Sequence, residues 1–213
     1  PFYDRLAKLG ACFTEAQGWE RPGWFAPEGV DPEYVYSFKR QNWFEHSAAE
    51  HRAVREAVGM FDQTSFAKFE LQGQDAEAVL NRVSANDVAV EPGRIVYTQW
   101  LNERGGIEAD LTVTRLNSDR YMIVTGVGTQ VRDFQWLMRQ IPDGADAKLT
   151  DITEDLAVLG VMGPASRALL ADVSDVDFSN GGFPFQTSKE IDLAGAQVRA
   201  SRITYVGELG WEL

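Results

Sequence analysis

Four side chains in this sequence have types suited to chemistry: the carboxylates Asp110 and Glu212 and the phenols Tyr97 and Tyr205. A carboxylate can take a proton or stabilise positive charge, and an aromatic ring can wall off a flat ligand. The competing reading is that Asp110 and Glu212 are solvated charges on strands.

Asp110 and Tyr97 lie in the stretch Arg94 to Leu116, RIVYTQWLNERGGIEADLTVTRL. From Ile107 the apolar residues Ile107, Ala109, Leu111 and Val113 alternate with Glu108, Asp110, Thr112 and Thr114, the period of a half-buried strand. Ile95 to Leu101 is rich in β-branched and aromatic residues, and Asn102-Glu103-Arg104-Gly105-Gly106 supplies a turn. The stretch therefore predicts a hairpin with Asp110 on its polar face. Its register stays open. With Trp100 opposite Ile107, Tyr97 lies across from Asp110; with Leu101 opposite Ile107, Tyr97 joins the apolar side, because a one-residue slip exchanges the faces.

The flanking elements are predicted in order. Residues 1–45 read as an aromatic-rich N-terminal arm: Tyr3 to Ala11 suits a short helix, and Gly18, Pro22, Gly23, Pro27, Gly29 and Pro32 break any long element. Its aromatics, among them Trp19, Trp24, Tyr34 and Trp43, argue against a free linker. We expect it to pack on the body or on a neighbouring domain.

Residues 46–213 form the second unit. A helix is expected from Ser47, boxed by Glu50, with Ala49, Ala53, Val54, Ala57 and Val58 on one face and Gly59 as its C-terminal cap. Strand Phe66 to Leu71 leads through Gly73 to a helix capped by Asp75. After the hairpin come strand Tyr121 to Thr125 and a helix capped by Thr129, with Val131, Phe134, Leu137, Met138 and Ile141 inward. Leu156 to Met162 reads as a strand, Pro164 opens a helix with Ala168, Leu169 and Leu170 inward, and Thr187 to Ile191 pairs with Gln197 to Tyr205 across Leu193-Ala194-Gly195. Antiparallel hairpins interleaved with helices indicate an α+β fold.

Composition narrows the function classes. The net charge of −12 argues against nucleic acid and anionic membrane as partners, since both need a basic footprint. No apolar run reaches the roughly 20 residues of a membrane span, and no secretion signal is visible. One cysteine, Cys12, excludes an internal disulfide framework and fits a reducing compartment. The expectation is a cytoplasmic protein, or a mitochondrial matrix one in a eukaryote. Pro1 in place of an initiator Met, and an end at Leu213 inside an apparent strand, suggest a piece of something longer.

Competing chemistries find less support. Tyr121 to Thr125 followed by Gly126-Val127-Gly128, with Asp146 beyond, is a partial dinucleotide-site match whose third glycine is replaced by Val131. His46 and His51 lack the further His or Cys of a structural metal site, so no metal is expected. No Gly-x-Ser-x-Gly elbow is present.

The blocks GWERPGWFAP, EHRAVREAVGMFDQTSFAKFEL, GRIVYTQWLNERGGIEADLTVTRL, LGVMGPASR and SRITYVGELGWEL resemble the tetrahydrofolate-dependent aminomethyltransferase family of the glycine cleavage T-protein. Within it they look like the C-terminal, folate-binding half of dimethylglycine and sarcosine dehydrogenases. The resemblance implies a T-protein-like fold over residues 46–213, cut before the family's C-terminal barrel. Its catalytic acid, the second in a Gly-Gly-Ile-x-Asp-Asp-Leu pattern, falls on Asp110, with Ala109 in place of the first. Its pterin contacts fall on Tyr97, Val124, Phe185, Tyr205 and Glu212; Gly126 stands where the family carries an Asn.

The implied cofactor is tetrahydrofolate, with FAD only on an upstream flavin domain that produces an iminium from an N-methyl amine. The folate then captures the one-carbon unit as a methylene group. Two alternatives are a stand-alone aminomethyl- or methyltransferase and a non-catalytic interaction module that keeps the fold.

Overall fold

Residues 2–205 and 207–213 are described in a computed structural model. The chain opens with a helix, α1 (Phe2–Lys8), and an antiparallel hairpin of β1 (Ala11–Ala16) and β2 (Trp19–Phe25). These two strands are not expected from the sequence. The residues read as breakers have structural uses: Gln17 and Gly18 take the positive φ of a tight turn, and Pro22 costs little in a two-stranded ribbon that is all edge. Cys12, Trp24 and Ala26 form a small core, with Tyr34 and Trp43 packed against it.

This hairpin leans on α2 (Phe44–Glu56). His46 stacks on Trp24, and Glu50 accepts the Phe25 N–H at 2.9 Å. Glu50 is thus not part of a capping box, and the helix starts three residues before Ser47. Its inward face carries His46, Glu50 and Val54, leaving Ala49, Ala53 and Ala57 exposed. Gly59 does not cap it; Gly59 opens β3 (Gly59–Asp62), and a Cβ there would overlap the Val54 side chain at 2.5 Å.

Then follow β4 (Ala67–Gln72), α3 (Ala76–Val83), β5 (Ile95–Leu101), β6 (Ile107–Arg115) and β7 (Arg120–Thr125). Asp75 precedes α3 without capping it through its side chain; that carboxylate accepts the Asp146 N–H at 2.8 Å. A 3-10 turn at Val127–Thr129 leads into α4 (Gln130–Gln140), then β8 (Lys148–Asp151), unforeseen in sequence, and β9 (Leu159–Met162), which excludes Leu156. Last come α5 (Ser166–Ala171), β10 (Thr187–Leu193), β11 (Ala196–Arg202) and β12 (Gly210–Glu212).

Beyond the N-terminal hairpin the strands make two five-stranded sheets, ordered β5-β6-β7-β4-β8 and β10-β11-β12-β9-β3. Every strand pairing among the described residues is antiparallel, as an α+β fold requires. One face of the first sheet carries Phe69, Leu111, Val113 and Ile123 into a core with Val79 and Leu80 of α3 and Leu137 of α4. In the second sheet Trp211 meets Phe178 and Phe183 edge-on, with Ile191 and Ala200 in the same cluster.

Two helix faces differ from the periodicity. In α4, Leu137 and Asp133 are buried, whereas Val131 and Met138 are exposed. The Asp133 carboxylate accepts the Thr125 and Thr129 hydroxyls at 2.7 and 2.6 Å, and this polar anchor rotates Val131 outward. In α5, which starts after Pro164, Ser166 and Leu170 are buried, and Ala168 and Leu169 face out. The face assignment of α4 has a measurable consequence. Leu137→Ala is expected to cost about 2–5 kcal/mol in urea denaturation, whereas Val131→Ala stays within about 0.5 kcal/mol. Equal losses would contradict it.

Candidate functional site

The β5–β6 register resolves the position of Tyr97. Next to the turn Leu101 pairs with Ile107, but Trp100 pairs with Ala109, so Glu108 is an extra residue in a bulge. Beyond it Gln99 pairs with Asp110 and Tyr97 with Thr112. Neither register anticipated from the sequence holds along the whole hairpin. The bulge begins with the second and returns Tyr97 to the polar face, diagonal to Asp110. It also turns Ile107 out to solvent, against the simple alternation.

Residues paired directly across strands share a face. Tyr97 on β5, Thr112 on β6, Val124 on β7 and Lys68 on β4 therefore form one row, with Gln99 and Asp110 in the next. Gln99 donates to the Asp110 carboxylate at 3.1 Å. Hydrogen bonding to Asp110 is the main influence that raises the Tyr97 phenol above its ordinary value, and Tyr205 lies near enough to add to it. Tyr97 is half exposed and Tyr205 almost fully so, at 94%. Phe185, also half exposed, precedes Gln186, whose carbonyl accepts the Ile95 N–H at 3.0 Å at the corner where β5 meets β10.

Glu212 belongs to the second sheet. Alternation along β12 sends Trp211 into the core and Glu212 to the other face, in a row with Ser188, Ser201, Gly160 and Phe61. Burial pushes its carboxyl up to about 7 from 4.5. Among the described residues no hydrogen bond reaches that carboxyl, and the residue is half-buried. It is a partly desolvated acceptor with no protein donor on it among the described residues.

The segment between β3 and β4 links the two sheets. Lys68 is buried, and its ammonium donates to the Thr64 and Phe66 carbonyls at 2.7 and 2.8 Å. Burial lowers its pKa, opposed by the charges of Asp151 and Asp62. The structure therefore groups Tyr97, Asp110, Val124 and Tyr205 around one sheet face, places Phe185 at its corner, and sets Glu212 on the neighbouring sheet.

Sequence reasoning missed Gln99 and Lys68. Gln99 was findable, being two residues from Tyr97 on the same face. The burial of Lys68 was not, since alternation assigns it to the polar face with Glu70 and only the folded-back segment covers it. The partial dinucleotide motif has another role: β7 lies between antiparallel neighbours, and the Asp146 carboxylate accepts the Gln74 N–H at 3.1 Å. His51 binds the Ser47 carbonyl at 2.6 Å, and no cluster of three or more potential metal ligands occurs among the described residues. None of the described helices is long and apolar enough to cross a membrane.

Two measurements test this geometry. Asp110→Asn is expected to lower the Tyr97 phenol pKa in an ultraviolet titration; an unchanged titration would separate the two groups. For Glu212 the sign follows from linkage. Below about pH 4.5 the carboxyl is protonated whether folded or not, and between there and about 7 only the folded chain keeps the proton. Stability is therefore lost as pH rises through that window, by about 3 kcal/mol in total. Glu212→Gln removes this loss, so the variant should gain on the parent protein from pH 4.5 to 8 in urea denaturation. Parallel curves would show that Glu212 is not desolvated.

Comparison with known proteins matches this framework. The chain fits the GCVT N-terminal domain family over residues 2–213. It is 44% identical over 213 residues to a 4-methylaminobutanoate oxidase (formaldehyde-forming) of Paenarthrobacter nicotinovorans, covering 100% of this chain and 26% of that protein. It is 38% identical over 251 aligned residues to the mitochondrial sarcosine dehydrogenase of Homo sapiens, covering 100% and 27%. The chain thus spans about a quarter of the length of these relatives. The crystal structure of the glycine cleavage system aminomethyltransferase T from Bartonella henselae superposes with a TM-score of 0.76 at 26% identity, covering 100% of this chain and 52% of that one. With its antiparallel sheets, its helices and this match along its length, the chain belongs to the GCVT N-terminal domain family, the aminomethyltransferase fold shared by the T-protein and the dimethylglycine and sarcosine dehydrogenases.

Proposed function

We propose that this chain is a tetrahydrofolate-binding, one-carbon transfer domain of a dimethylglycine- or sarcosine-type N-methyl amine dehydrogenase, working beside a flavin domain of the same parent protein. The observation that carries this reading is Glu212, a half-buried carboxyl pushed up by burial and without a protein partner among the described residues, in an aminomethyltransferase fold. A pterin presents an amino group beside a ring N–H, and one carboxylate can accept from both. The sarcosine dehydrogenase and 4-methylaminobutanoate oxidase relatives, each about four times longer than the chain, support a parent that oxidises a methylated amine.

Each residue then has a part. Glu212 fixes the orientation of the pterin through its two oxygens. Tyr97, Tyr205 and Phe185 flank the flat ring, and Val124 gives it an apolar floor; the exposure of Tyr205 and Phe185 leaves them surface to lose on binding. Bound tetrahydrofolate would supply a nucleophilic amine that takes the one-carbon unit of the iminium, the demethylated amine leaving as its bond to that carbon breaks. Asp110 orients that amine, stabilises positive charge developing beside it and takes its proton, while Gln99 and the Tyr97 phenol hold the carboxylate in place. Asp110, exposed on its strand, can pass the proton to water.

The test is anaerobic calorimetry of tetrahydrofolate with the full-length parent protein. Glu212→Ala is expected to weaken binding about 10- to 100-fold, the loss of a charged hydrogen-bond acceptor. Asp110→Ala should leave binding within about threefold and slow methylene transfer by roughly 100-fold or more, as removal of an electrostatic stabiliser does. Burial favours the protonated form of Glu212 near neutral pH and N–H donors favour its ionised form, so binding should release a fraction of a proton. Buffers of different ionisation enthalpy read that number. Absence of binding by the parent protein would overturn the folate reading and favour an interaction module.

A further inference from the structure

We infer that Gln63 is a second recognition residue of the site, its carboxamide oxygen accepting the hydrogen of a ligand amino group that Glu212 leaves unpaired. The inference rests on the pterin reading above and adds a specificity determinant to it.

Three observations converge. Gly160 pairs directly with Glu212 across β9 and β12, so a side chain at 160 would stand on the Glu212 face, with its Cβ about 5 Å from that of Glu212. Glycine leaves this place empty, and the Gln63 carboxamide fills it: its Oε1, Cδ and Nε2 lie 2.9, 3.0 and 3.1 Å from where a Cβ at position 160 would be. The Gln63 oxygen is buried and has no hydrogen-bond partner. An acceptor left dry and unpaired is costly unless something arrives to use it.

The Gln63 backbone is fixed beforehand. Its N–H donates to the Val158 carbonyl at 2.9 Å, its carbonyl accepts the Phe66 N–H at 3.0 Å, and the Lys68 ammonium clamps the carbonyls of Thr64 and Phe66. The oxygen is therefore held on a rigid turn.

The ligand chemistry supplies the need. A ring carrying an exocyclic amino group next to a ring N–H offers three hydrogens. The two oxygens of Glu212 accept the ring hydrogen and one amino hydrogen, and the second amino hydrogen requires a neutral acceptor beside the carboxylate. Gln63 Oε1, held over Gly160 in the residue pair that includes Glu212, is the acceptor assigned to it. A ligand with a single N–H donor would leave Gln63 idle.

The test compares tetrahydrofolate with its 2-deamino analogue on the full-length parent protein, by anaerobic calorimetry. Gln63→Met keeps length and removes the acceptor; it should weaken tetrahydrofolate about five- to tenfold and leave the analogue within about twofold. Gly160→Ala, which crowds the carboxamide, should reproduce this selectivity. Equal weakening of both ligands by Gln63→Met would reduce Gln63 to a structural role, and no weakening of either would remove it from the site; each result overturns the inference while leaving the pterin reading intact. Failure of the unaltered protein to bind either ligand would overturn both.

Discussion

One extra residue, Glu108, moves β6 by a position against β5, and with that step the two faces of the hairpin are assigned. Trp100, Thr98 and Val96 turn to the core with Ala109, Leu111 and Val113, while Tyr97 and Gln99 turn to the side of Asp110. Without the bulge the pairing next to the turn would carry Tyr97 into the apolar layer and leave Asp110 without its phenol and amide neighbours. The row from Tyr97 through Thr112 and Val124 to Lys68 then follows from antiparallel pairing alone.

The connection between the two sheets has a comparable economy. The segment from β3 to β4 runs from the edge of one sheet into the interior of the other. A buried ammonium is costly unless hydrogen-bonded, and Lys68 is satisfied by carbonyls of this same segment. The turn that covers Lys68 also sets Gln63 over Gly160. A single polar anchor thereby relates the Glu212 face to the row that holds Val124.

The two carboxyls have different surroundings. Asp110 is exposed and receives the Gln99 amide. Glu212 is half-buried and pushed up to about 7 by burial, with no protein donor on it among the described residues.

The sequence by itself determined the alternating strands, the central hairpin with Asp110 on its polar face, the antiparallel α+β class and the family resemblance, because strand period and turn glycines are local properties. It did not determine β1, β2 or β8, whose short edges are made by pairing and not by propensity. Nor did it determine the inward faces of α2, α4 and α5, where polar anchors such as Glu50 and Asp133 outweigh apolar periodicity. Of the site, the residue types were legible and their environments were not. Whether Tyr97 faces Asp110 depended on one bulge, and the withdrawal of Glu212 and Lys68 from water depended on chain segments distant in sequence. Burial and register are relations between elements, and only the tertiary structure sets them.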